Sequence, residues 1–192
     1  MSAKPKALHP GRVYQLKVTL KGAQPPIWRR IQVSEQITLA KLHRILQVTM
    51  GWTDSHLHQF RVGKTYYGEP EPDYDLGFVT VNEKKVKLNQ LPLKEKSKFL
   101  YEYDFGDSWE HEILVEKILP QEEGKTYPLC LTGKRACPPE DSGGVWGYAG
   151  FLEAISDPSH PDHEEMLDWI GGSFDPEEFD LEGVNRYLSS LR

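Results

Sequence analysis

The sequence predicts one α+β domain, an antiparallel sheet packed on one helix with additional helices at the C-terminal end. Two observations carry most of that reading. Phe99–Glu116 (FLYEYDFGDSWEHEILVE) holds two alternating runs about Gly106-Asp107. Phe99, Tyr101, Tyr103 and Phe105 share one parity before the turn, and Trp109, His111, Ile113 and Val115 share one after it, the period-two pattern of a β-hairpin with one buried face. Separately, Leu39, Leu42, Ile45, Leu46 and Met50 recur at helical spacing, with Thr38 as N-cap and Gly51 as the stop.

In chain order, residues 1–11 carry Pro5, Pro10 and Gly11 and read as a flexible N-terminal arm, followed by a single domain over 12–192. Val13–Leu20 alternates as a half-buried strand. Ile27–Val33 alternates again after a turn at 22–26, with Ile27, Arg29, Ile31 and Val33 on one side, so the two strands form a hairpin. Ser55–Val62 reads as a strand that puts His56, His58, Phe60 and Val62 on one face, continued by Tyr66-Tyr67. Residues 68–78 are acidic and turn-rich, a surface loop, and a short strand is expected within Val79–Leu88. From 129 to 148 the glycines and prolines predict no long regular structure; a loop of this kind, bearing Cys, Glu, Asp and Trp, is suited to lining a site. Short helices are expected at 147–155, at 164–170 before Gly171-Gly172, at an Asp175-Pro176 start, and over the last turns, where Val184, Tyr187, Leu188 and Leu191 share a face.

The 192 residues include 38% hydrophobic and 27% charged side chains, the composition of a soluble globular protein. No apolar run reaches the roughly eighteen residues of a membrane span. The N-terminus lacks an apolar signal segment, and Cys130 and Cys137 are too few for a disulfide framework; a cytoplasmic location with reduced thiols follows as the expectation. Charge is segregated. Residues 1–50 hold nine Lys/Arg against one acid, a net of +8, and residues 140–192 hold two Arg against thirteen acids, a net of −11. Either the basic segment meets nucleic acid, or the two segments lie side by side and neutralise each other; the scatter of the basic residues favours the second.

Three candidate sites emerge. His56 and His58, two apart on a strand, project together and suit a divalent transition metal, with ligands completed from His111, Cys137, Asp104, Glu140 or Asp141 for metal-assisted hydrolysis. Asp104, Asp107, His111, Glu140 and Asp141 form a candidate acid–base pocket against an aromatic wall, in which crowded carboxylates acquire divergent pKa values. Turn chemistry is the competing account of Asp104 and Asp107. Trp28, Arg29 and Arg30 with Lys41 and Arg44 are candidate nucleic-acid contacts, against which stands the absence of a dense Lys/Arg patch. The Asp-Phe-Gly triplet at 104–106 lacks the other kinase motifs and is a hairpin tip.

Ile27-Trp28-Arg29-Arg30, Met50-Gly51-Trp52, His56-Leu57-His58, Tyr103 to His111 (YDFGDSWEH) and Cys137-Pro138-Pro139-Glu140-Asp141 occur in one order over roughly residues 12–190. In these motifs the chain resembles the plasmid Ri ORF-three-like proteins, sometimes labelled transposon-passenger or resolvase-like. The resemblance implies an α+β fold and an association with bacterial and archaeal plasmids and mobile elements, and no particular reaction. Ser142 stands where many members carry Cys. Recombinase chemistry does not fit the residues: Ser108 and Ser142 sit among acids that repel a phosphodiester, and no arginine array accompanies them. The leading reading is a soluble accessory protein of plasmids or mobile elements that acts by binding a partner, a mobile-element protein or nucleic acid. The alternative is a metal-dependent or acid–base hydrolase using the His/Asp/Glu pocket.

Overall fold

A computed structural model describes residues 11–69 and 80–191. The expected N-terminal arm, Gly11 apart, and most of the acidic loop expected at 68–78 lie outside the described residues. The chain begins with β1 (Arg12–Leu20) and β2 (Trp28–Ser34), then α1 (Leu39–Met50), β3 (His58–Val62), β4 (Thr65–Gly68) and β5 (Thr80–Asn82). After two single-turn 3₁₀ segments come β6 (Lys98–Tyr103), β7 (Trp109–Pro120) and β8 (Leu129–Lys134), then α2 (Gly144–Ser156), α3 (His163–Ile170) and α4 (Leu181–Ser190). The eight strands form one sheet in the order β5-β4-β3-β6-β7-β1-β2-β8, antiparallel except for the β4–β5 pair. The architecture is α+β, as the segregation of periodicities predicts.

The expected hairpins form in register: Val13 pairs with Ser34 through to Thr19 with Trp28, and Lys98 with Leu114 through to Tyr103 with Trp109. Alternation then decides which side chains go inward. Tyr14, Leu16, Val18 and Leu20, with Ile31, Val33, Phe99, Tyr101, Tyr103, Trp109, Ile113 and Val115, face α1 and bury against Leu39, Leu42, Ile45, Leu46 and Met50. Each such aliphatic or aromatic side chain contributes about 1.5–3 kcal/mol by leaving water. Helix α1 is closed at its start by Thr38 Oγ1, which accepts from the Lys41 amide at 3.2 Å, and at its end by Gly51 at φ 99°.

Four expectations are corrected. Arg29 shares the inward parity of β2 and is 1% exposed. Its guanidinium donates to the carbonyls of Thr49 (2.7 Å), Trp28 and Lys134 (both 3.0 Å) and stacks over Phe179. Thr49 lies in the last turn of α1, so the negative end of the helix dipole offsets the buried charge, and Arg29 is a core residue rather than a phosphate contact. The stretch 129–134, where no long regular structure and no strand was expected, is the six-residue edge strand β8, because β2 supplies a ladder through Ile31–Cys130 and Arg30–Thr132. The Asp175-Pro176 segment is a turn closed by Asp175 Oδ1 on the Glu177 amide; the next helix starts five residues later behind Asp180. His56 precedes β3 instead of belonging to it.

The charge segregation is not resolved by direct pairing. Arg12 pairs with Glu35, Lys21 with Glu110 and Arg30 with Glu116, and among the described residues no cation of the first fifty pairs with an acid of 140–192. No described helix is long and apolar enough to cross a membrane.

Candidate metal centre

Three connections converge at the turn end of the β6–β7 hairpin. The first, residues 51–57, leaves α1 through Gly51 and is anchored by Trp52, whose indole Nε1 donates to the Pro138 carbonyl at 3.0 Å. The second is the hairpin tip, where Asp104 and Ser108 sit at φ 57° and 51° and the Ser108 amide donates back to Asp104 O. The third, residues 137–143, has Asp141 at φ 56° and docks on the tip: the Gly143 amide donates to Asp107 Oδ2 at 3.0 Å. Gly144 is required there. Its φ is 69°, and a Cβ would lie 2.6 Å from the Asp107 carbonyl. Left-handed non-glycine residues cost about 1–3 kcal/mol each and gather at functional sites, and Asp54, Asp104, Ser108 and Asp141 gather here.

The convergence puts one imidazole among three carboxylates. His56 Nε2 lies 3.1 Å from Asp141 Oδ1 and 3.7 Å from both Asp104 Oδ2 and Glu140 Oε2. Glu140 is held mainly from its other oxygen: Oε1 accepts from the Thr53 amide (2.8 Å), Thr53 Oγ1 (3.0 Å) and the Tyr103 hydroxyl (3.1 Å), which also reaches Oε2 at 3.3 Å. Tyr103 OH in turn accepts from the Ser55 amide at 2.9 Å. Burial, aided by Glu140, holds the Tyr103 phenol well above its ordinary pKa, so it stays a donor. Asp104 Oδ1 is committed to the Gly106 amide, leaving Oδ2 toward His56. Asp141 forms the open side, its side chain 71% exposed.

The 3.1 Å contact fits either a hydrogen bond or two donors on one ion, and the 3.7 Å contacts lie a little beyond either. An ion about 2.1 Å from each N or O donor spaces adjacent donors by about 3.0 Å in octahedral and about 3.4 Å in tetrahedral geometry. His56, Asp104 and Asp141 each offer a donor atom within 4.8 Å of the others, a grouping that could hold a cation, and Glu140 lies beside it.

A second cluster lies on the opposite side of the same connection. His43 Nε2 is 2.7 Å from Asp54 Oδ1, His43 Nδ1 is 2.8 Å from Tyr101 OH, and His58 Nε2 is 3.0 Å from Glu83 Oε2. The His43 and His58 rings stack in parallel at 3.4 Å. Burial and the neighbouring His58 lower the pKa of His43. Although the donors are close enough to be grouped around a cation, parallel rings send their nitrogen lone pairs side by side rather than toward one point.

Of the residues anticipated for chemistry, His56, Asp104, Glu140 and Asp141 are brought together. His58 is not with them, so the expected His56–His58 pair is split between two clusters, because strand parity does not extend to His56. Asp107 serves as the clamp on the Gly143 amide. His111 is fully buried between Trp52, Tyr101 and Trp109, with neither ring nitrogen in a hydrogen bond of good geometry, and burial pushes its pKa down to about 4. It belongs to the core beneath the site. Cys137 is kept a thiol by burial, which outweighs nearby Arg29. Trp28 and Arg30 lie on the outer sheet face, where Lys17 and Arg30 flank the Trp28 ring and Arg30 grips Glu116 at 2.6 and 2.8 Å. Lys41 and Arg44 sit on α1, across the sheet from them, so the five candidates do not share a surface. Sequence reasoning passed over His43, Tyr103 and Thr53; His43 was detectable, lying four residues after Leu39 and three before Leu46 on the buried stripe of α1.

Residues 12–183 match the family of plasmid pRiA4b ORF-3-like proteins. An uncharacterised protein of Sinorhizobium fredii (strain NBRC 101917 / NGR234), y4hQ, is 40% identical over 181 residues, spanning 93% of this chain and 92% of the relative. The crystal structure of a protein of unknown function from Methanosarcina mazei Go1, MM3350, superposes with a TM-score of 0.82 at 45% identity, covering 90% of this chain and 96% of that one.

Proposed function

The chain belongs to the plasmid pRiA4b ORF-3-like family, and we propose that it is a metal-dependent hydrolase working at His56, Asp104, Glu140 and Asp141. The observation that carries the reading is the spacing of His56 Nε2 from three carboxylates, 3.1 to 3.7 Å, at the turn of a hairpin. These residues would hold a divalent ion, whose chemistry would be to lower the pKa of a bound water and so supply a nucleophile. Thr53 and Tyr103 keep Glu140 turned toward His56, and Asp141, on the solvent side, would accept the proton of that water. The acidic surround favours neutral or cationic esters and amides over phosphodiesters. The test is the metal content of purified tag-free protein, with melting curves before and after chelator. Near-stoichiometric manganese, iron or zinc and a lowered Tm after chelation are expected; no metal and an unmoved melt, also after metal is added back, would sink the reading.

A second reading, an accessory protein of plasmids or mobile elements that binds a partner, is favoured by two surface features. Among the described residues the acids of 140–192 have no cation of the first fifty as partner, and Trp146, at the start of α2, is 90% exposed. A basic protein partner fits that surface better than nucleic acid does. Capture by immobilised protein that weakens steeply between 50 and 300 mM salt, roughly the range over which screening doubles, supports it; salt-independent capture counts against it.

A further inference from the structure

The connection that carries His56 is held from behind by a closed ring of hydrogen bonds. The Asp54 amide donates to Gln47 Oε1 at 2.9 Å, which fixes the orientation of the Gln47 side-chain amide. Gln47 Nε2 then donates to Tyr101 OH at 2.9 Å. The Tyr101 hydroxyl already accepts that bond, and its proton is directed to His43 Nδ1 at 2.8 Å. This leaves His43 with its proton on Nε2, donated to Asp54 Oδ1 at 2.7 Å, so the ring returns to the residue where it began.

Two ends of Asp54 orient the ring: its amide sets the Gln47 side chain, and its carboxylate, an acceptor, calls for the proton on His43 Nε2. The ring pins Asp54, which sits at φ 59°, a conformation that Asp and Asn tolerate better than other side chains do. With Asp54 reversed, its neighbours face the other way: Thr53 bonds Glu140, Ser55 bonds Tyr103 OH and His56 meets the carboxylates. Tyr101 and Tyr103 are on one strand, two residues apart, so the two sides of the connection are tied to adjacent rungs of the same inward face of β6.

We infer that His43 is a positioning residue: as the Nε2–H tautomer it holds Asp54 left-handed and thereby sets the place of His56 in the candidate metal centre. The inference rests on the proposed site for its consequence, but not for its test. His43 touches none of the four proposed ligands and acts through Asp54 alone.

Long-range ¹H–¹⁵N spectra of the histidine rings in the full chain at neutral pH decide it. His43 is expected as the Nε2–H tautomer, with His43→Leu and Asp54→Ala both moving the His56 ring signals. Asp54→Asn restores them, because its amide oxygen accepts the same bond and Asn tolerates the same φ. Manganese titration should show about tenfold weaker binding in His43→Leu and Asp54→Ala, the usual scale for loss of an outer-shell partner, and near wild-type binding in Asp54→Asn. An Nδ1–H tautomer at His43, or His56 signals unmoved in either folded variant, would overturn the inference; should His43→Leu fail to fold, the Asp54 pair decides alone. Failure of the unmodified protein to bind manganese counts against the metal reading, and the ring spectra still decide this one.

Discussion

His43 and His58 lie face to face, with ring centroids 3.4 Å apart and planes 2° from parallel, and each faces its own carboxylate, Asp54 and Glu83. Two imidazoles in that arrangement do not point at a common ion, and a positive charge on one opposes a positive charge on the other. The nearby His56 has no such stack and faces three acids instead. The two clusters therefore call for different outcomes on mutation. His56→Ala should abolish binding of manganese or zinc, measured calorimetrically, at little cost in stability. His58→Ala should leave metal affinity within about threefold and lower stability by about 1–3 kcal/mol, since Glu83 is left buried without its partner. Equal loss of metal in both variants would show that the histidines act on one ion.

Local periodicity was enough for most of the fold. The β1–β2 and β6–β7 hairpins, α1 between Thr38 and Gly51, and α3 before Gly171 all follow from patterns within a dozen residues. Strand β8 escaped because its six residues include Gly133 and alternate weakly, and its identity comes from β2, about a hundred residues earlier. The site was legible as a list of chemically apt residues but not as a grouping. Thr53 meets Glu140, and Trp52 meets Pro138, across separations of 87 and 86 residues. His56 was misassigned for a related reason: a period-two argument holds only within a strand, and left-handed Asp54 resets the parity just before it.

Tyr103→Phe isolates the hydroxyl that joins the two sides of the site. The substitution leaves the buried ring in place between Trp52 and His56 while removing a donor to Glu140 and an acceptor for the Ser55 amide. Stability should fall by about 1–3 kcal/mol in denaturant titration. Metal affinity should fall about tenfold or more, because Glu140 loses part of what turns Oε2 toward His56. Unchanged affinity would mean that Thr53 alone orients Glu140.

The Asn185 side chain caps the outer edge of β8 at Cys130. Asn185 Oδ1 accepts from the Cys130 amide and its Nδ2 donates to the Cys130 carbonyl, both at 2.9 Å, reproducing the pair of bonds a neighbouring strand would make. Asn185→Leu should therefore cost about 2 kcal/mol, a fall in Tm of roughly 4–8 °C for a chain of this size, and leave a free edge that promotes association. Light scattering at increasing concentration checks the second part. A variant that melts like the parent and stays monodisperse would show that α4 protects the edge by packing alone.

His111 gives the protein an acid-sensitive core. Its pKa is about 4 in the folded chain against about 6.5 when unfolded, because burial disfavours the imidazolium. Between those values the unfolded chain takes up a proton that the folded chain does not. Stability is therefore complete above about pH 6.5, declines as pH falls through the window down to about 4, and by then has lost up to about 3 kcal/mol from this residue. His111→Phe removes the titrating group and two nitrogens that lack good hydrogen bonds, at a position between the rings of Trp52 and Tyr101. Denaturant midpoints measured from pH 7.5 to 4 should flatten in the variant while the parent's fall. Parallel pH profiles would show that another group carries the acid limb, and a variant much less stable than the parent at pH 7.5 would mean that the ring nitrogens have partners after all.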